Sequence, residues 1–277
     1  MNIHNSLDQS YRIPRRAQAQ RVLALTQPIL QSGQILPAEA RNAPETLISA
    51  PKARQSNNIR IIQDYSQPAA MACDGLVGVL IFGSSSKPGG GWLNGAKAQE
   101  EDISLTSTWG AQASLAPAGF YGDRKGLGGL GPDKTLLAKG YWLLNEHGQS
   151  LPAPRAAVFA SVAAPNMANH QVAALPQSQR IDHLARRLVA AFTGWQEAGV
   201  DQVVLGAIGC GVFQWPPGDS ALALRLALQH QQATGMSLPS IVLALPDPTM
   251  IQFFAQELGI SQASTSTASS TRPNGRR

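Results

Sequence analysis

The sequence predicts an α/β fold, a three-layer α/β/α sandwich built around a mixed, largely parallel central sheet. Short apolar runs at residues 76–82, 156–163 and 202–205 are each followed by a loop and then by a helical pattern. This repeated order of strand, loop and helix is typical of parallel sheets covered by helices. The run 76–82 is apolar almost throughout, as expected for a strand that is buried on both faces.

The length and composition favour one large domain with polar ends. The chain has 277 residues, of which 43% are hydrophobic, enough for a sizeable core. We expect a single domain over residues 14–260, with a disordered N-terminus over 1–13 and a disordered Ser/Thr-rich tail over 261–277. The net charge of +5 is concentrated at the two ends. This placement favours solvated tails over a nucleic-acid-binding surface.

Cysteine usage and hydropathy exclude several classes of protein. Only Cys73 and Cys210 are present, so the sequence predicts neither a disulfide framework nor a metal site, and no motif implies a cofactor. Residues 1–20 contain no apolar segment of a signal peptide. No run approaches the roughly 18 apolar residues of a membrane span. We therefore expect a cytoplasmic protein, a monomer without a membrane partner.

The remaining elements follow from local patterns. Pro14 suits the first turn of a helix and Gly33 its end, while Pro28 predicts a kink or break near Thr26. A long amphipathic helix is predicted over 178–197, because apolar residues recur there on one helical face. The other predicted elements are a possible strand at 46–49, a strand at 59–62, helices at 66–73 and 95–108, a strand at 141–144, a helix at 217–234, a strand at 241–245 and a helix at 250–258.

A first glycine loop, residues 89–91, directly follows the apolar run 76–82. Gly89, Gly90 and Gly91 leave the backbone free to approach a ligand closely, and their N–H groups can form a nest for an anion. The predicted helix 95–108 then carries Gln99, Glu100 and Glu101. A phosphate-binding loop next to carboxylates predicts a phosphate-containing ligand held beside an acid/base group.

A second glycine loop, residues 206–213, follows the strand predicted at 202–205. In open α/β sheets the ligand crevice lies at the carboxyl ends of the strands. Because both loops leave strands at that end, we expect them to meet in one crevice. The second loop contributes the candidate binding residues Gly206, Ile208, Gly209, Cys210, Gly211, Val212 and Phe213.

These motifs together resemble those of a known family. The first loop, a spacer and then Gln99, Glu100 and Glu101 look like the GGG…QEE signature of poly(ADP-ribose) glycohydrolases, and the surrounding residues 88–96 resemble the microbial-type branch. The second loop resembles that family's second phosphate loop. The similarity covers roughly residues 14–258, with departures such as Ile81, where the family commonly has asparagine.

The resemblance implies a macrodomain-like catalytic domain that binds ADP-ribose or poly(ADP-ribose) on modified proteins or nucleic acid. The two glycine loops would grip the diphosphate and the distal ribose, with Phe213 packed on that ribose. Glu101 would be the catalytic acid/base, with Glu100 and Gln99 orienting the riboses. The predicted reaction is hydrolysis of the O-glycosidic bond, which releases ADP-ribose. The alternative is a macrodomain that binds ADP-ribose without cleaving it.

The residues also suggest how one glutamate would act. Many glycosidases divide acid and base between two carboxylates. Adjacent helical residues do not face the same way, so Glu100 and Glu101 are not expected to form such a pair. An apolar wall of Val212, Phe213 and Trp215 would raise the pKa of the catalytic glutamate. Trp215 itself is more often a packing residue than a substrate contact, and Cys210 more often a packed residue than a nucleophile.

Overall fold

The computed structural model describes residues 14–48, 59–117, 120–121, 129–260 and 265–266. Its strands form one mixed sheet. In chain order they are β1 (Glu39–Asn42), β2 (Ile59–Ile62), β3 (Val77–Phe82), β4 (Lys134–Leu144), β5 (Ser150–Val162), β6 (Gln202–Leu205), β7 (Ser240–Ala244) and β8 (Thr265–Ser266). Across the sheet the order is β1-β4-β5-β3-β6-β7-β2-β8.

Helices cover both faces of this sheet. In chain order they are α1 (Arg15–Gln31), α2 (Ser66–Met71), α3 (Gln99–Ser104), α4 (Trp109–Ser114), α5 (His170–Ala173), α6 (Gln177–Ala198), α7 (Pro217–Ala233) and α8 (Pro248–Leu258). One apolar core lies between the sheet and α6, α7 and α8, and a second lies between the sheet and α2, α3 and α4. A smaller cluster lies beneath α1. The predicted three-layer sandwich is confirmed.

The centre of the sheet places the first glycine loop. Strand β3 pairs in parallel with β5 on one side and with β6 on the other. The carboxyl ends of these three strands therefore meet at one edge, which is where ligands bind in open α/β sheets. The first glycine loop follows β3, and the second follows β6. Among the described strands, the antiparallel pairs are β1 with β4 and β4 with β5.

Several predicted elements are confirmed and others are wrong. Strands β2 and β6 and helix α6 lie where the sequence places them, within one residue at each end. Helix α1 continues through Pro28 to Gln31, so the predicted break near Thr26 does not occur. The predicted strand at 46–49 is absent from its described residues, 46–48, and the strand of this region is β1 instead.

Of the helix predicted over 95–108, only the short helix α3 (Gln99–Ser104) forms, and α4 begins after the predicted end, at Trp109. The chain leaves the helix after Ser104 because the carbonyl of Thr106 accepts hydrogen bonds from the N–H groups of Leu143 and Leu144 at 2.8 and 3.0 Å. Tertiary pairing with β4 thus overrides the local helical pattern. Strands β4 and β5 are also longer than predicted, because they form an extended antiparallel pair.

The predicted termini fall largely outside the described residues. The N-terminal segment 1–13 lies outside them, as does most of the tail. Within the tail, Thr265–Ser266 form the short edge strand β8, which pairs in parallel with β2. The disorder of the tail stays a prediction. No helix of the described part of the chain is long and apolar enough to cross a membrane.

Candidate active site

Gln99 fixes helix α3 against the end of strand β3. Its amide oxygen accepts from the N–H of Phe82 at 2.9 Å, and its amide nitrogen donates to the carbonyl of Leu80 at 2.7 Å. A longer hydrogen bond reaches the hydroxyl of Ser66. Both ends of the amide are therefore bound to protein atoms. This arrangement gives Gln99 a positioning role, while its predicted contact with a ribose stays a prediction.

Glu100 lies in the first turn of α3 and is almost fully buried, with 3% of its surface exposed. One carboxylate oxygen accepts from the N–H of Ser84 at 2.7 Å, and the other is 3.4 Å from the indole nitrogen of Trp109. Burial raises the pKa of Glu100 to about 8, and the charge of Glu101 adds to the rise, while the N–H of Ser84 opposes it. Glu100 is therefore fixed by the donors of Ser84 and Trp109, and its carboxyl group is largely protonated at neutral pH.

Glu101 is the adjacent acidic residue and differs from Glu100 in how its oxygens are used. Its Oε1 accepts from the N–H of Gly91 at 2.7 Å. Its Oε2 is buried and has no hydrogen-bond partner among the described residues. A buried carboxylate oxygen without a donor is costly, so it points to a group that binds there during function. Of the two glutamates, Glu101 is the one with a free oxygen.

The two carboxylates converge on the first glycine loop. A Cβ placed on Gly90 would stand 2.3 Å from Oε1 of Glu101 and 3.3 Å from Oε2 of Glu100. The expectation that adjacent helical residues keep these carboxylates apart is therefore wrong, since both side chains bend toward one point. Only glycine fits at Gly90, both because of this contact and because its φ is +65°.

The first loop does not form the predicted anion nest. The N–H of Gly90 donates to the carbonyl of Lys87, and the N–H of Gly91 donates to Glu101. Only Gly89 keeps an N–H without an acceptor among the described residues. The indole of Trp92, which is 1% exposed, packs against Gly89 and fixes the position of the loop. The loop therefore holds and covers a carboxylate rather than cradling a phosphate.

The second loop has the free N–H groups that the first one lacks. Within the described part of the chain, no acceptor serves the N–H groups of Gly209, Gly211, Val212 and Phe213. Three of these residues are consecutive, and a run of unpaired backbone N–H groups is a site for an anion. The N–H groups of Ile208 and Cys210 bond within the loop, and the side chain of Ile208 is buried in the core. Those two residues therefore shape the loop.

The second loop is anchored to the end of β5. The indole N–H of Trp215 donates to the carbonyl of Pro165 at 2.6 Å, and the N–H of Met167 donates to the carbonyl of Phe213 at 3.0 Å. Trp215 is 3% exposed and packs against Gly209. Gln214 closes the loop at a φ of +58°, the only non-glycine residue with positive φ in the described chain. Such backbone outliers cluster at functional sites.

These positions correct the predicted apolar wall. Trp215 is buried beneath the loop, which confirms its reading as a packing residue, and Val212 is 72% exposed. The carboxyl group with a raised pKa is Glu100, and its own burial is the main cause. Cys210 is half-buried, and burial raises the pKa of its thiol to about 11, which disfavours a nucleophilic thiolate.

Arg187 supports this region and was not singled out by the sequence. Its guanidinium, fully buried, donates to the carbonyls of Leu130, Gly131 and Ala163 and to the carboxylate of Asp133. Ala163 directly follows β5, so Arg187 fixes the chain where the second loop is anchored. The available signal was a pair of adjacent arginines, Arg186 and Arg187, inside an amphipathic helix. The described residues contain no cluster of three or more side chains that could hold a metal ion.

Comparison with known proteins bears on the same region. The family model described as the microbial-type PARG catalytic domain, where PARG is poly(ADP-ribose) glycohydrolase, matches residues 8–125. That range contains the first glycine loop, Gln99 and both glutamates. Residues 8–125 are therefore similar to the catalytic domain of microbial-type poly(ADP-ribose) glycohydrolases. The predicted resemblance to the microbial-type branch is thereby confirmed for the part of the chain that contains the first glycine loop and the two glutamates.

Similarity to solved structures extends over most of the chain. The poly(ADP-ribose) glycohydrolase of Thermomonospora curvata is 22% identical, with 88% of this chain and 98% of that chain covered at a TM-score of 0.64. The same enzyme bound to the inhibitor ADP-HPD is 24% identical, with 87% of this chain and 98% of that chain covered at a TM-score of 0.61. The Deinococcus radiodurans enzyme in complex with ADP-ribose is 28% identical, with 74% and 86% covered and a TM-score of 0.59. The comparison with curated proteins finds no match.

Proposed function

We propose that this chain is an ADP-ribosyl glycohydrolase, which hydrolyses the O-glycosidic bond of poly(ADP-ribose) or of ADP-ribosylated targets and releases ADP-ribose. The observation that carries the proposal is Glu101, a buried carboxylate with one oxygen held by Gly91 and the other unpaired. The related structures are poly(ADP-ribose) glycohydrolases, one of them in complex with ADP-ribose. They favour an enzyme over a protein that only binds ADP-ribose.

The two loops have different tasks in this reaction. The diphosphate binds the unpaired N–H groups of the second loop, which requires no lysine, metal or cofactor. Phe213 packs on the distal ribose, and the glycosidic bond lies at Glu101. Glu101 first protonates the leaving oxygen and then activates a water molecule at the anomeric carbon. Glu100 is unsuited to either step, because donors hold both of its oxygens.

The substrate is ADP-ribose or its polymer, attached to modified proteins or nucleic acid. The protein acts as a monomer in the cytoplasm, through a single catalytic domain over residues 14–260. Polar segments at both ends carry the basic excess and do not take part in the chemistry.

The test compares Glu101→Gln with wild type on defined poly- and mono-ADP-ribosylated substrates, with release of ADP-ribose as the measurement. Loss of the ionisable group should lower turnover about 10²- to 10⁴-fold. Binding of ADP-ribose should persist, because the phosphate-binding loop is unchanged.

Asp102→Asn is the matched control, since it makes the same change one residue along the same helix. Asp102 is 58% exposed and pairs with Arg15 on the protein surface, so turnover should stay near wild type. Near-normal turnover by Glu101→Gln would overturn the assignment of Glu101. If the wild type bound ADP-ribose but left every substrate intact, the protein would instead be a reader of ADP-ribose.

A further inference from the structure

Tyr121 carries a buried hydroxyl group that the proposed mechanism does not use. The side chain is half-buried, yet its phenol oxygen is buried and has no partner among the described residues. The ring meets Phe120 edge-on, with 4.8 Å between ring centres. A buried hydroxyl group without a partner costs free energy, so its retention calls for an explanation.

The surroundings of Tyr121 place it on the carboxylate side of the sheet. It packs against the core cluster that contains Ile103 of α3 and Trp109 of α4. The indole of Trp109 in turn contacts Glu100 at 3.4 Å. Burial raises the pKa of Tyr121 above its ordinary value, and the charge of Glu100 adds to the rise. The phenol therefore keeps its proton and can act only as a neutral hydrogen-bond donor or acceptor.

The hydroxyl group of Tyr121 and Oε2 of Glu101 thus lie on the same side of the sheet, the side covered by α3 and α4. The phenol of Tyr121 offers a proton, and Oε2 of Glu101 accepts one, but neither has a partner among the described residues. A hydroxyl group of a bound ligand accepts from one neighbour and donates to another, so it satisfies both needs. The distal ribose is the part of ADP-ribose that reacts beside Glu101, and it supplies such hydroxyl groups.

We propose that Tyr121 is a further substrate-positioning residue, whose phenol donates a hydrogen bond to a hydroxyl group of the distal ribose. The same ribose hydroxyl faces the carboxylates of α3. This inference rests on the proposed function and names the part of the substrate that Tyr121 recognises.

The experiment uses Tyr121→Phe, which removes one oxygen atom and keeps the ring. Binding of ADP-ribose and of ADP, which lacks the distal ribose, is measured by calorimetry. The affinity for ADP-ribose should fall about fivefold to tenfold, as expected for one hydrogen bond, while the affinity for ADP stays unchanged. The thermal midpoint of the ligand-free protein should not fall, because the lost hydroxyl had no partner.

Tyr141→Phe is the matched control, since Tyr141 packs in the separate cluster beneath α1, and it should alter neither affinity. Unchanged affinity of Tyr121→Phe for ADP-ribose would overturn the inference, and so would equal weakening of ADP-ribose and ADP. The proposed function fails in a different way, namely if the wild type neither binds nor releases ADP-ribose.

Discussion

The two glycine loops have similar composition but different hydrogen bonding. In the first loop, the N–H groups of Gly90 and Gly91 bond to Lys87 and Glu101 within the protein. In the second loop, consecutive N–H groups from Gly211 to Phe213 have no acceptor in the described part of the chain. Glycine richness therefore does not by itself identify a phosphate site. The deciding property is whether the protein already uses the backbone donors.

The anchoring of the loops differs in the same way. The first loop is fixed by the carboxylates it covers, with Trp92 packed against Gly89. The second is fixed from beneath by Trp215, which leaves the opposite side of its backbone open. Gly211 itself faces open space, with no atom within 4 Å of a Cβ placed there. One loop thus holds the proposed acid/base group, and the other has backbone N–H groups that are available to a ligand.

Gly90→Ala should distort the first loop, and of the substitutions discussed below it should lower turnover the most. The added methyl group would collide with Oε1 of Glu101 at 2.3 Å, and alanine disfavours the φ of +65°. Displacement of Glu101 should cost about 100-fold or more in turnover. ADP-ribose affinity, measured by calorimetry, should change far less because the second loop is intact.

Gly95→Ala separates backbone strain from collision with Glu101. Gly95 also has a positive φ, +82°, but the nearest atom to an added Cβ is 3.8 Å away, in the side chain of Arg16. This variant should lose stability by about 1–2 kcal/mol and keep most of its turnover. Equal loss of turnover in both variants would contradict the specific role of Gly90.

Glu100→Gln tests the difference between the two loops through stability rather than catalysis, because only the first loop covers a buried acid. The folded pKa of Glu100 is about 8, against an ordinary value of 4.5. The stability gained from protonated Glu100 is fully present below pH 4.5 and is lost as the pH rises to about 8. Wild type should therefore lose up to a few kcal/mol relative to Glu100→Gln over this window.

Thermal unfolding midpoints measured across that pH range check this prediction. The curves of the two proteins should diverge steadily as the pH rises, with the variant more stable at the alkaline end. Parallel curves would show that Glu100 does not carry a raised pKa.

Local patterns in the sequence were sufficient for much of the fold. Residues 203–205 are apolar, with β-branched valine at 203 and 204, and β6 has the predicted bounds, Gln202–Leu205. Strand β1 has the sequence Glu-Ala-Arg-Asn, with no apolar pattern, and it is a strand because it pairs with β4. Local patterns cannot reveal an element whose stability comes from a distant partner.

The candidate site, like the fold, has features that the sequence reveals and features that depend on distant contacts. Glycines, acids and their spacing are visible in the sequence, so both loops and Glu101 were identified. The use of each hydrogen bond is not visible, because Gly91 and Glu101, or Ser84 and Glu100, meet only after folding. The sequence therefore predicts ligand binding by both loops alike and does not single out Tyr121 or Arg187, whereas among the described residues the run of free N–H groups lies in the second loop.

The most direct test of this division is an amide NMR titration of the protein with ADP-ribose. We expect large downfield proton shifts for the amides of Gly211, Val212 and Phe213, which are free to bind the diphosphate. The amides of Gly90 and Gly91 should shift little, because their hydrogen bonds within the protein persist. Large shifts at Gly90 and Gly91, with none at residues 211–213, would show that the first loop and not the second binds the diphosphate.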